Sequence, residues 1–269
     1  MSITPHPAAA RRPRAFVRVS GPDAEDFLQR LVSNDVAALA AGEACEALLL
    51  TPKARLVAPL RVLRRAADDY LLLTEPSLGE TVLANLLRAR FAAKVDLVAE
   101  QHVSTLVFGG EQGIPNGDYG SPAVEVLDDP IEPTVGEDEL ERLRIRAGTP
   151  SWGRELDDRV LPAEAGLVER AVSFTKGCYP GQEPIARLHH RGHANRGLRV
   201  LGIDSSELPA YDAEVRHEGK AVGRLTSAVR DGDAVLALGY VRVEVPADAE
   251  LAVEGAVARP LHFAGPARP

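Results

Sequence analysis

Sulfur is scarce in this chain of 269 residues, which has two cysteines and one methionine. Cys45 and Cys178 stand far apart, so there is neither a disulfide framework nor a Cys-x-x-Cys metal motif, and a reducing, intracellular setting fits. Aromatic residues make up 4% of the chain, with one tryptophan, Trp152. Positive charge is outnumbered: 31 Lys and Arg against 39 Asp and Glu leave a formal net charge of −8. That balance argues against a nonspecific nucleic-acid binder. No apolar run approaches the length of a membrane span, and no apolar segment follows Arg11-Arg12 as a secretion signal requires. Internal repeats and low-complexity tracts are missing as well. With 45% hydrophobic residues, the chain can bury a sizeable core in one large or two to three small domains.

Met1 to Arg14, rich in Pro, Ala and Arg, reads as a disordered arm. Ala15 to Ser20 alternates as a strand, and Ser20 to Asp23 offers caps for a helix reaching Leu31, with Phe27, Leu28 and Leu31 on one face. Glu46 to Leu50, Arg55 to Leu63 and Tyr70 to Leu73 read as strands. Ser77 to Arg90 reads as an amphipathic helix with Leu78, Val82, Leu83, Leu86 and Leu87 inward, and Lys94 to Val98 and His102 to Phe108 add two strands. This β-β-β-α-β-β order suits a compact α+β unit with an antiparallel sheet. Gly109 to Gly120 reads as a loop, Ala123 to Leu127 as a short strand, and Glu137 to Ala147 as a helix. In that helix the acids come early and Arg142, Arg144 and Arg146 late, matching the macrodipole on a solvated face. From Arg199 onward only short alternating strands occur, with a hairpin turn at Glu218-Gly219. They predict a separate all-β domain, a small barrel, after a boundary near His193–Arg196.

The densest chemistry lies between Ser173 and Arg187, where Lys176, Cys178, Glu183 and Arg187 fall within one short loop and the start of a helix. Gly177 and Gly181 give its backbone freedom, and Pro184 suits a first helical turn. A thiol beside Lys176 near a helix start is a candidate reactive group; the plainer alternative is a buried structural cysteine. Downstream, His189, His190 and His193 invite a metal, but with no Cys or carboxylate cluster beside them they read better as a basic linker. Arg187, Arg191, Arg196 and Arg199 make the densest positive patch, suited to a polyglutamate tail, an acidic partner or RNA.

Lys176-Gly177-Cys178-Tyr179-Pro180-Gly181-Gln182-Glu183 resembles the K-G-C-Y-x-G-Q-E signature of the YgfZ family, folate-binding proteins related to the glycine cleavage T-protein (aminomethyltransferase). Val19 to Val36, with Asn34-Asp35, resembles the opening of that family. Arg144 to Pro150 resembles its R-x-x-x-G-x-P segment and Leu161 to Leu167 its P-x-E-A-G-L segment. Pro52-Lys53-Ala54-Arg55 stands where the family has Pro-Lys-Gly-Arg; if that position needs φ > 0, Ala54 costs about 1 kcal/mol. Lys53 and Arg55 would then face an anionic tail or an acidic partner, or simply solvent.

The resemblance implies an α+β, three-domain cloverleaf around a cavity for tetrahydrofolate or a derivative. A discontinuous folate-binding domain would span 1–45 and 110–193, an inserted ferredoxin-like domain 46–109, and the barrel 194–269. Cys178 and Lys176 would form the functional loop. Asn34, Asp35, Gly177, Tyr179, Gly181, Gln182, Glu183 and Arg187 would contact folate, Arg187 pairing with Glu183 or the folate glutamate. Asn34 and Asp35 read on their own residues as helix caps, and Trp152 as core packing rather than a ring stacked on a ligand. The acidic positions that serve aminomethyl transfer in T-proteins correspond here to Ala58 and Pro59, and no carboxylate lies between Glu46 and Asp68. The expected function is therefore a cytoplasmic, monomeric, tetrahydrofolate-binding accessory for iron–sulfur cluster assembly or repair. Its partners would be iron–sulfur client or assembly proteins, and it would indirectly support cluster-dependent tRNA-modifying enzymes, with no direct nucleic-acid contact and no resident metal. The alternative is a folate-dependent one-carbon transfer enzyme.

Overall fold

The computed structural model describes residues 8–192 and 194–261; expectations that fall on residues 1–7, His193, residues 262–269 or the side chain of Arg191 lie outside it. Strands from Ala44–Leu50, Leu56–Ala66, Asp69–Thr74, Ala15–Ser20 and Asp96–Glu100 pair in that order as an antiparallel sheet of five. Alternation along these strands sends one set of side chains to helices Ala24–Gln29 and Gly79–Ala89. There Phe27, Leu28, Val82 and Leu86 pack on Val17, Val19, Leu49, Ala58, Val62 and Leu72. Leu87, expected inward on the second helix, is instead 47% exposed. The division expected at residue 45 runs through this sheet, because Ala15–Ser20 lies between Asp69–Thr74 and Asp96–Glu100. The strand expected to close the 46–109 unit, Ser104–Phe108, pairs elsewhere.

That second sheet runs Ala9–Arg11, Ser104–Phe108, Ala123–Leu127, Ile114–Asn116. Ala9 and Ala10 are buried in it, so the segment from Ala8 to Arg14 is a built part of the fold rather than a disordered arm. The expected loop at 109–120 contains the short strand Ile114–Asn116. Helix Glu137–Arg146 sets Leu140 and Leu143 against Ala10, Leu106 and Tyr119. Its Arg144, read as solvated, is buried.

Six strands close the C-terminal barrel in the order Arg196–Ile203, Ala234–Arg242, Lys220–Asp231, Glu214–His217, Leu251–Val253, Ala256–Pro260. Glu218 and Gly219 take φ of 48° and 76°, the left-handed pair that a tight hairpin needs. The barrel does not stand alone. Tyr240 leaves its wall to pack in the central cluster with Leu48, Leu56, Tyr179 and Ile185. Among the described residues, no helix is long and apolar enough to cross a membrane.

Candidate functional site

The loop after Ala171 is sewn onto the segment after the first helix. Ser33 Oγ donates to Ala171 O at 2.5 Å and accepts from Leu48 N at 2.8 Å, and Ser173 N donates to Ser33 O at 3.0 Å. Lys176 is buried, and its Nζ donates to Val32 O and Asn34 O, both at 2.7 Å. Burial brings its pKa down to about 8, against the opposing pull of Asp35 and Cys45. Its ammonium is thus a tether for two backbone carbonyls. Tyr179 is buried in the central cluster, its hydroxyl without a hydrogen-bond partner among the described residues, and burial pushes its pKa up to about 12. Cys178 and Gly177 are exposed.

Helix Gln182–Arg191 starts from Gly181 at φ 85°. A Cβ there would lie 2.7 Å from Thr51 O and 3.0 Å from Ala54 Cα, so glycine is required by conformation and by contact. The turn that Gly181 meets holds Ala54 at φ 57°, the left-handed position expected of the family glycine, with its methyl group fully buried. Glu183 and Arg187, one turn apart, are exposed and form no ion pair among the described residues. Gln182 is partly buried at the first turn. His189 stacks on Phe174 at 4.2 Å with His190 edge-on to both, and no group of metal-ligating side chains converges among the described residues. The expected positive patch is dispersed: Arg196 pairs with Glu164 at 3.0 Å, and Arg199 donates to the carbonyl of Pro246 at 2.8 Å.

A cavity of about 70 Å³ lies where the sheets and the loop 149–156 meet. Cross-strand alternation builds one wall: Glu46 and Leu48 face it from one strand, Pro59 and Arg61 from the next, paired as Glu46 with Arg61 and Leu48 with Pro59. Ala58 points the other way, into the helix-covered core. Arg12, Arg14, Glu75, Asp118, Tyr119, Arg144, Trp152 and Arg170 add the rest of the charged and aromatic lining, with Glu125 behind it.

These charges form one network. Arg14 grips Glu125 bidentately at 2.6 and 3.0 Å and reaches Glu75 at 3.3 Å, which also takes Arg12 at 2.6 Å. Arg61 donates to Asp118 at 3.2 Å, and Arg170 joins Glu46, at 2.6 Å, to Asp118. Burial alone would raise both acids. Instead Arg14, Arg61 and Arg12 bring Glu125 down to about 2, and Arg61, Arg170 and Arg14 hold Asp118 well below the usual carboxylate range. Arg12 Nε, Arg61 Nε and Thr149 Oγ1 are buried there without a hydrogen-bond partner among the described residues, Arg61 Nε lying 3.7 Å from Glu125 Oε1.

Asn34 and Asp35 do not line this cavity. Asn34 Nδ2 donates to Glu46 O at 2.7 Å, which ties it to the neighbouring strand, while Asp35 Oδ1 accepts from Ala38 N at 3.3 Å and Gln29 Nε2 at 2.9 Å as a local turn cap. The structure brings Asn34 to Lys176 and leaves both, with Cys178, outside the cavity wall. Sequence reasoning missed the cavity's own residues. Arg12, Arg14, Glu46, Arg61, Asp118 and Arg170 come from five separate segments, and only the resemblance of the flanking loops pointed near them.

Residues 15–111 match the GCVT N-terminal domain. An uncharacterized protein of Haemophilus influenzae is 28% identical over 227 residues, covering 80% of this chain and 81% of that protein. The tRNA-modifying protein YgfZ of Edwardsiella ictaluri is 27% identical over 281 residues, covering 88% and 85%. The crystal structure of glycine cleavage system aminomethyltransferase T from Bartonella henselae superposes with a TM-score of 0.82 at 21% identity, covering 97% of this chain and 86% of that one. That likeness establishes the T-protein fold. With the signature loop and its docking on Ser33 and Asn34 in place, the chain is similar over most of its length to YgfZ proteins and shares the fold of the glycine cleavage T-protein.

Proposed function

We propose that this chain is a tetrahydrofolate-binding accessory protein, acting as a cytoplasmic monomer on behalf of iron–sulfur client or assembly proteins. It would support tRNA modification through the cluster enzymes it serves, without direct RNA contact. The relative named as a tRNA-modifying protein supports the role, and the T-protein fold supports the ligand class. The observation that carries the non-transferase reading is the state of the cavity acids. Glu46, Glu75 and Asp118 are each held by guanidinium groups, and the strand position facing them beside Arg61 is Pro59. A carboxylate held well below the usual range, as Asp118 is, is a poor proton acceptor at neutral pH.

The lining suits folate in kind. Arg12 Nε and Thr149 Oγ1, buried without a hydrogen-bond partner among the described residues, would meet acceptor atoms of the ligand, and Trp152, packed against both adjoining cores, lines the same space. Folate supplies a carrier for one-carbon units. The space, about 70 Å³, amounts to roughly two waters, so folate entry requires the lining, Trp152 included, to open. Because Trp152 is the chain's one tryptophan, binding there reports itself. Anaerobic titration with tetrahydrofolate should give saturable heat and a change in Trp152 fluorescence, equally in wild type and Cys178→Ala. Heat without a fluorescence change would move the ligand out of the cavity, and no heat would remove folate from the function. Turnover of a methylamine donor to methylene-tetrahydrofolate would overturn the accessory reading in favour of one-carbon transfer.

A further inference from the structure

A groove of about 420 Å³ runs along the outer side of the signature helix, lined by Pro52, Lys53, Leu161, Pro184, Arg187 and Leu188. It shares no lining residue with the central cavity. Four of the six residues are apolar, and the two charges are both positive. Lys53 and Arg187 are exposed, and their side chains make no hydrogen bond or ion pair among the described residues. That sets them apart from their neighbours: Arg55 is spent on the Arg159 carbonyl, Arg159 on Asp157 at 2.7 Å, and Arg196 on Glu164. Glu183, one helical turn before Arg187, leaves it unneutralised. In a chain of net charge −8, an apolar floor under two unopposed cations is a local reversal of sign.

The two walls are fixed against each other. Gly181 abuts Thr51 and Ala54, which locks the turn carrying Lys53 to the start of the helix carrying Arg187. Exposed Cys178 lies three residues before that contact. A small anion would use only the two cations. A chain segment with carboxylates and apolar side chains would use the cations and the floor together.

We propose that this groove docks an extended segment of a partner protein in which acidic and apolar residues alternate. Its carboxylates would sit on Lys53 and Arg187 and its apolar groups on Leu161, Leu188, Pro52 and Pro184. Docking there is independent of whether the central cavity takes folate.

The test is an array of ten-residue peptides that alternate leucine with glutamate in varied register, beside glutamine and lysine counterparts, probed with the intact protein at low and high salt. The glutamate set should be retained over the glutamine set and should weaken as salt rises. The Lys53→Glu/Arg187→Glu variant, its thermal melt serving as the folding control, should bind the glutamate set about tenfold more weakly and gain the lysine set. A γ-linked glutamate oligomer, which has the charge without the apolar groups, should compete poorly. Equal retention of the three sets, no retention of any, affinity unchanged by the charge reversal, or full competition by the oligomer would each overturn the proposal.

Discussion

Lys176 illustrates how a signature residue can be structural. Its pKa of about 8 lies below the ordinary lysine value, so between about 8 and 10.5 the unfolded chain binds more protons than the folded one. Stability from this group therefore rises with pH across that window. A neutral amine keeps its two donors for Val32 O and Asn34 O, so the tether survives the titration. Urea midpoints measured from pH 7.5 to 10 should climb for wild type relative to Lys176→Met; parallel profiles would show that Lys176 does not titrate there. The same variant should lose about 1–3 kcal/mol at pH 7, since two carbonyls lose their donor. The thiols divide sharply: Cys178 is exposed, while burial pushes Cys45 up to about 12. Iodoacetamide should alkylate one cysteine in the native protein and none in Cys178→Ala, with Cys45 reacting only after denaturation. Rapid labelling of the partly buried Cys45 in the native fold would contradict its raised pKa. Residue identities announced the loop and even the left-handed turn at Ala54, because glycine spacing and a departed glycine carry backbone information. They could not announce that Lys176 points away toward the Ser33 segment, since that partner lies about 140 residues away.

At the scale of elements, alternation told strand from helix nearly everywhere, but it did not tell which sheet a strand joins. Ala15–Ser20 and Ser104–Phe108 pattern alike and go to different sheets. What sorts them is long-range pairing and charge. Arg14, expected in a loose arm, meets Glu125 across 111 residues. Glu125 also accepts from Ser104 Oγ at 2.9 Å and Asn116 Nδ2 at 2.7 Å, tying three strands and the N-terminal segment to one carboxylate. Glu125→Gln would leave Arg14 buried with a diminished counter-charge, at a cost of about 3–5 kcal/mol by chemical denaturation. With Glu125 lowered to about 2, its contribution is complete above the unfolded carboxylate pKa near 4.5 and is lost as pH falls from there toward 2. A variant as stable as wild type at pH 7 would sink this account. Between the same two sheets, His102 bridges Glu100 at 2.9 Å and Asp128 at 2.6 Å. Burial opposes its proton, but the hydrogen bonds to Asp128 and Glu100 prevail and raise its pKa above 6.5. The clasp should be complete below pH 6.5 and fade as pH rises through the raised value, a slope that His102→Gln should remove from the urea midpoints.

For the whole molecule, the barrel was the most legible part in sequence and the least independent in space. Its strands and hairpin turns are local signals; the weld that joins it to the body is not. Glu155, fully buried, accepts from Arg144 Nη1 at 2.9 Å, Ser151 N at 2.9 Å and Ser227 Oγ at 2.7 Å, while its carbonyl accepts from Tyr240 OH at 2.9 Å. Arg144 completes the ring by donating to Ser227 Oγ at 2.8 Å and Thr149 O at 2.6 Å. Leu236 and Leu238 press on Ile145, and Arg196 spans from Glu164 to a position 4.7 Å over the Tyr240 ring. A ring with every donor matched holds two bodies in one register, whereas a half-matched one is worse than none. Wild type should therefore unfold in urea as a single unit, with Trp152 fluorescence on the body and hydrogen exchange in the barrel strands reporting one midpoint. Glu155→Gln keeps the shape but gives up one acceptor oxygen and the charge opposite Arg144. It should cost about 2–4 kcal/mol and pull the two probes apart, because each body retains its own core while the weld alone is lost. Coincident probes at an unshifted midpoint in that variant would mean that apolar packing of Tyr240, Leu236 and Leu238 carries the union and that the buried ring merely fills it.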